Sequence, residues 1–157
     1  MGLYGFDSPR SLLCHTLMKI KTDKPDVIIL NGDFIAHGVT LTDRNASQEQ
    51  KLAKWEEMKV VLSTAMREIR TKLIGVDILP SIGNNDVIVH YQVPCREDLS
   101  QIYYQDIFDI MFPKFRLPRY FKYDAVKETF LKGGYYRHDF GIEKISLISL
   151  NSMYFAE

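Results

Sequence analysis

The architecture of this chain turns on Val27-Ile28-Ile29-Leu30-Asn31-Gly32-Asp33-Phe34-Ile35-Ala36-His37. Four apolar residues in a row, three of them β-branched, are entered through Pro25 and left through Asn31-Gly32. That pattern predicts a fully buried strand ending in a tight turn. A second short strand is expected over about residues 73–79, weakened by Gly75 and Asp77. Pro80-Ser81-Ile82 leads from it into another polar turn, Gly83-Asn84-Asn85-Asp86. Between the strands a long helix is expected over about residues 47–72, where Trp55, Met58, Leu62, Met66 and Ile69 fall near helical spacing as core positions. Strand, helix and strand define an α/β class. In open α/β sheets ligands bind beyond the carboxyl ends of the strands, so both polar clusters would converge on that crevice.

Outside this unit, Asp7-Ser8-Pro9 reads as a helix start, with Ser8 capping free amides, Pro9 in the first turn, and Leu12, Leu13, Leu17 and Ile20 on one face. Beyond Cys95, the spacing of Leu99, Ile102, Tyr103, Ile107, Ile110 and Met111 predicts a helix stopped by Pro113. Residues 114–132 mix aromatic and charged side chains without a period, which predicts an irregular connection with a short helix at most. Gly133-Gly134 is expected to open a hairpin, with strands over residues 135–140 and 145–150 around Gly141-Ile142-Glu143-Lys144. No repeat, linker or low-complexity segment divides the 157 residues, so a single domain over 1–157 is expected.

With 46% hydrophobic and 25% charged residues, the composition suits a chain that builds a core and argues against a disulfide mini-protein or disorder. Lys plus Arg and Asp plus Glu balance at 20 each, so net charge does not recommend nucleic acid or an anionic membrane surface as a partner. No apolar run approaches the roughly 20 residues that cross a bilayer. Cys14 and Cys95 resemble no metal-binding pair and are expected as unpaired or half-buried thiols. The first residues lack the basic start and apolar stretch of a signal peptide. The last residues are strand-like almost to the end, which raises the expectation that the chain is part of something longer.

An Asp one residue beyond a Gly turn can aim both carboxylate oxygens at a small region and bridge two divalent cations; an Asn carbonyl adds a neutral oxygen ligand. Singly, Gly-Asp and Asn-Asn-Asp are ordinary turn chemistry. Three further features accompany them: Tyr4-Gly5-Phe6-Asp7-Ser8-Pro9, His37 four residues after Asp33, and the tail Gly133-Gly134-Tyr135-Tyr136 through Ser149-Leu150-Asn151. In this order and spacing the chain resembles the calcineurin-like metallophosphoesterases. Within them it is similar to the acid sphingomyelinase-like phosphodiesterases and the related endopolyphosphatases, along nearly its whole length.

That resemblance implies part of a four-layer sandwich, two mixed sheets flanked by helices, and metal-dependent hydrolysis of phosphoric esters. Two divalent metal ions, with zinc the expected metal, would clamp the phosphate while a metal-bound hydroxide attacks in line. It implies Asp33 as the bridging metal ligand and Asn84 as a ligand to one metal. His37 would face the phosphate, stabilising its developing charge or protonating the leaving group, and Asp86 would support the Asn84 loop from behind. The implied substrates are a small phosphoester, a lipid phosphodiester or polyphosphate, with no nucleic-acid polymer. The implied setting is secreted, lysosomal or vacuolar, and the glycosylation sequon Asn45-Ala46-Ser47 is compatible with it.

Departures from the pattern are equally specific. Asn85 stands where many relatives carry a His that protonates the leaving group; Asn delivers no proton, and general-acid help is typically worth about 10²–10⁴ in rate. Endopolyphosphatases also carry Asn-Asn-Asp, so the change points toward a shift of substrate class. His90, four residues beyond Asp86, is an auxiliary candidate, whereas His15 and His138 are expected to be structural. Phe6 replaces a Cys of the family's stretch. The family's first block, Asp-x-His, and its last two His-bearing blocks have no counterpart here. One carboxylate and one neutral amide cannot balance two divalent cations, so this chain alone is not expected to hold the full metal centre, and missing strands would leave open sheet edges. The leading expectation is a segment of a phosphodiesterase related to acid sphingomyelinase. An endopolyphosphatase-like hydrolase is second, and a catalytically inactive relative kept as a binding module is third.

Overall fold

The computed structural model of the chain describes residues 6–94, 97–141 and 144–155. Tyr4 and Gly5 of the N-terminal motif, Cys95, and Ile142 and Glu143 of the expected hairpin turn therefore lie outside the described residues.

Helix α1 (Arg10–Asp23) is followed by strand β1 (Val27–Leu30), helix α2 (Gln48–Lys72) and strand β2 (Asp77–Pro80). β1 and β2 pair in parallel, Val27 beside Asp77 and Leu30 beside Pro80. Parallel neighbours need a long crossover, which α2 provides. Its start is written into the sequence: the Ser47 hydroxyl accepts the Gln50 N–H while the Gln50 side chain accepts the Ser47 N–H. Trp55, Met58, Leu62, Met66 and Ile69 are buried along α2, as their spacing predicts.

Two boundaries and the burial of one strand differ from expectation. Pro9, not Ser8, occupies the α1 cap position, and its carbonyl takes the amides of Leu12 and Leu13; Ser8 sits one residue too early to cap. β2 begins at Asp77 because α2 runs on to Lys72 and Gly75, at φ +84°, turns the chain first. β1 is half covered rather than fully buried: Ile29 is 59% exposed while Val27, Ile28 and Leu30 pack against the core. Among the described residues its sheet has only two strands, and a parallel strand is buried throughout only when both faces and both edges are covered.

Helix α3 (Glu97–Met111) buries Leu99, Tyr103, Tyr104, Ile107, Phe108 and Met111, leaving Ile102 exposed. The helical repeat sets Ile102 on the far side of that stripe, which corrects the expected apolar face. A 3-10 turn (Lys114–Arg116) leads to helix α4 (Tyr123–Gly133), which fills the stretch expected to be largely irregular. Gly133-Gly134 closes this helix instead of opening a hairpin: Gly134, at φ +71°, donates its N–H to the Phe130 carbonyl at 2.7 Å. Rings hold the element in place, with Phe130 packed on Phe108 and Phe112, and Phe112 on Tyr136. Strands β3 (Tyr136–Phe140) and β4 (Ile145–Ser149) then pair antiparallel, Tyr136 opposite Ser149.

The chain is thus mixed α/β, with a parallel and an antiparallel two-stranded sheet among the described residues. No helix among them is long and apolar enough to cross a membrane. Cys14 is free and half-buried, and His15 is exposed on α1. His138 is buried between the rings of Phe121 and Phe140.

Candidate functional site

β1 and β2 end side by side, and the chain leaving each turns at once. Gly32 at φ +83° and Asp33 at φ +57° both take the left-handed backbone. A Cβ on Gly32 would overlap the Gly83 backbone, and one on Gly83 would overlap the Asp33 amide and carboxylate. The two loops touch backbone to backbone because both positions are glycine.

Asp86 stitches them together. Its fully buried carboxylate accepts the N–H groups of Asp33 (2.8 Å) and Gly83 (2.9 Å) on Oδ2, and those of Phe34 (2.8 Å) and Ile35 (3.2 Å) on Oδ1. Burial pushes the Asp86 carboxyl up to about 6 against the downward pull of these four amides. The Tyr103 hydroxyl of α3 donates to the Asp86 carbonyl at 3.1 Å, and the Tyr103 ring packs on Trp55 of α2. The residue expected behind the Asn84 loop therefore reaches across to the Asp33 loop as well.

On this frame the Asp33 carboxylate is exposed. Its Oδ1 accepts the Asn85 N–H at 2.9 Å, and its Oδ2 has no partner among the described residues. The half-buried Asn84 amide donates to Asn85 Oδ1 at 3.3 Å. Asn85 is buried, with Nδ2 3.4 Å from His37 Nε2. His37 is exposed, and its Nδ1 lies 2.7 Å from Asp7 Oδ1. A carboxylate at Nδ1 makes that nitrogen the donor, so in the neutral ring Nε2 accepts from the Asn85 amide while the Asn85 carbonyl faces Asn84. The hydrogen bond to Asp7 raises the His37 pKa above 6.5, with a weaker contribution from Asp33, and His37 lowers that of Asp7.

The structure brings Asp33, His37, Asn84, Asn85 and Asp86 together and adds Asp7, which the candidate residues read from sequence omitted. Its one signal was membership in Asp7-Ser8-Pro9. His90 is engaged otherwise: its ring meets Tyr91 edge-on at 4.4 Å, and its N–H bonds the Leu41 carbonyl. A recess of about 480 Å³ beside Arg44, Lys51 and Gln92 contains none of these groups.

Asp33 and Asn84 offer the oxygen donors that divalent cations take. Among the described residues no three His, Cys, Asp or Glu side chains cluster as a metal cage. The donor set fits part of a coordination shell and not a complete two-metal centre, so further ligands would come from outside the described residues.

No protein-family model matches the chain. It is 27% identical over 106 residues, 66% of its length, to a protein of Dictyostelium discoideum named sphingomyelinase phosphodiesterase D. It is 26% identical over 163 aligned positions, 98% of its length, to an endopolyphosphatase of Saccharomyces cerevisiae. The chain spans 21% and 22% of the length of these two relatives. Both names denote enzymes acting on phosphodiester or polyphosphate substrates, a phosphoesterase-like relationship at the general level.

Proposed function

We propose that this chain is a segment of a metal-dependent phosphoric ester hydrolase of the acid sphingomyelinase-like type, its two strand pairs belonging to the mixed sheets of a four-layer sandwich. The supporting observation is the Asp86 stitch, which sets Asp33, Asn84 and His37 together at the carboxyl ends of parallel strands. Asp33 and Asn84 are the residues that would hold divalent metal, zinc being the expected ion. When bound, such ions neutralise phosphate charge and supply hydroxide near neutral pH.

The chain's own residues handle orientation and the proton. Asp7 fixes the His37 ring and favours its charged form. Charged, His37 carries a proton on Nε2 as well and loses the Asn85 amide as a donor to it, which frees that N–H to turn toward a phosphate oxygen or a leaving group. Asn85 gives up no proton at useful pH, so its part is to set the neutral ring through the 3.4 Å contact. Asn85 also favours a second reading, an endopolyphosphatase-like hydrolase, and the alignment over 98% of the chain supports it. A secreted, lysosomal or vacuolar setting accords with Asn45, exposed just ahead of α2.

In the protein that carries this chain, Asp33→Asn is expected to abolish turnover and lower bound metal. Unchanged turnover and metal content would sink the assignment. Assaying sphingomyelin, a nucleotide and polyphosphate side by side separates the two enzyme readings, and a folded protein inert toward all three would be a binding module.

A further inference from the structure

At the opposite end of β2 from Asp86, the carboxyl-terminal turn of α2 faces the 3-10 turn across a cleft of about 290 Å³, lined by Arg70, Gly75, Asp77, Phe115, Arg116 and Leu117 among others. Arg70 is only 9% exposed. Its Nη2 donates to the Met111 carbonyl at the end of α3, while its Nε has no partner. Among the described residues neither Arg70 nor Arg116 forms an ion pair with a carboxylate. Two like charges thus share one cleft, one of them largely out of water, an arrangement that is costly unless a counter-charge completes it.

We infer that this cleft is a binding site for a phosphate-sized oxyanion held between the guanidinium groups of Arg70 and Arg116. Planar guanidinium forks match the geometry of such ions, and charge-assisted bonds to them are strong. Capping of α3 accounts for Arg70 Nη2, and Arg116 rests 5.7 Å over the Phe115 ring, but neither contact neutralises the two charges; the buried Arg70 Nε adds to the cost of desolvation rather than to contact with the ion. Asp77 lines the same cleft with its carboxylate engaged by the Tyr120 hydroxyl, so one negative charge opposes two positive ones and the cleft stays positive. Arg67 borders a second recess, of about 310 Å³, that also includes Arg70 and Arg116. Burial and the neighbouring Arg116 lower the Arg70 pKa to about 10, the response of a desolvated cation that lacks an anion. A third recess, of about 10 Å³, lies between Arg70 and His138, whose Nε2 is also unpartnered. It has room for one water at most, which leaves the larger cleft as the place for the ion. A free phosphate ion and a phosphate group on a larger molecule share the chemistry this cleft would recognise. The site uses no residue of the Asp33 loop and stands or falls independently of the proposed hydrolase.

The test is an amide-shift titration by NMR in phosphate-free buffer, with inorganic phosphate in one arm and a nucleotide in the other, on the wild type and Arg116→Gln. Saturable shifts confined to the amides of Gly75, Asp77, Arg116 and Leu117 are expected at millimolar phosphate. Arg116→Gln should weaken them about tenfold or more, one charge-assisted bond converted to affinity. Because Arg116 is exposed and its charge repels Arg70, the melting point of Arg116→Gln without phosphate should be no lower than that of the wild type, which separates lost binding from lost folding. Shifts in both arms assign a general phosphate-group site, and shifts with the free ion alone a site for the ion. No saturable shift in either arm, or equal affinity in Arg116→Gln, overturns the inference.

Discussion

His37 is oriented by a carboxylate 30 positions away in sequence, and that contact makes its charge tunable. Since Asp7 raises the His37 pKa, Asp7→Asn should lower it toward 6.5 and narrow, from the alkaline side, the pH range in which the ring is charged. An NMR titration of the imidazole reads this directly, and an unmoved titration would count against Asp7 as the orienting group. Gly83 is the second residue on which the site depends. Gly83→Ala places a Cβ into the Asp33 backbone and should cost at least about 1–3 kcal/mol in urea unfolding, with the candidate site disrupted. Gly75→Ala makes the control, because open space surrounds it and only its φ of +84° penalises a side chain. Asp33, His37, Asn84, Asn85 and Asp86 were legible as a group from two short motifs placed after strands. Asp7 was not, because no spacing rule carries a residue ahead of α1 to a loop beyond β1.

Among the elements, the clearest lesson is α4. Tyr123, Val126 and Phe130 stand at i, i+3 and i+7, but this helical period is short and follows aperiodic residues 114–122, so it stays hidden in the longer stretch until the aromatic rings of α3 give it a surface to pack on. Phe130→Ala should therefore cost about 3–5 kcal/mol, measured by chemical denaturation. The same packing makes β3 sensitive to acid. Burial lowers the His138 pKa below the 6.5 of an unfolded chain, so the unfolded state takes up the proton more readily. The stability tied to His138 is then fully present above about pH 6.5 and falls as the pH drops through and below it. His138→Phe should flatten that part of a stability profile measured against pH; a slope that persists would assign it to another group. By contrast, α2 was readable almost to the residue, because Ser47 and Gln50 form a cap whose geometry depends only on neighbours three positions apart.

For the whole molecule, apolar surface left uncovered is as informative as the core. Ile29 is 59% exposed, Ile148 68% and Leu150 71%, on or just beyond strands that have a single partner each among the described residues. The 157-residue chain by itself should associate with rising concentration, and Ile148→Lys should reduce this without changing the melting point. Sedimentation across a concentration series decides it, and a monomer throughout would contradict the expectation. The alternation of helix and strand was legible from hydrophobic pattern. How far each strand would be covered was not, since coverage depends on what lies beside it in space. The Asp86 stitch carries one last consequence, in the exchange of amide hydrogens with solvent. The N–H groups of Asp33, Phe34, Ile35 and Gly83 all rest on one buried carboxylate, so no small fluctuation of one loop releases them singly. They should exchange with deuterium as one set, at the rate at which Asp86 withdraws, whereas the Asn85 amide, held by the exposed Asp33, keeps a faster clock of its own.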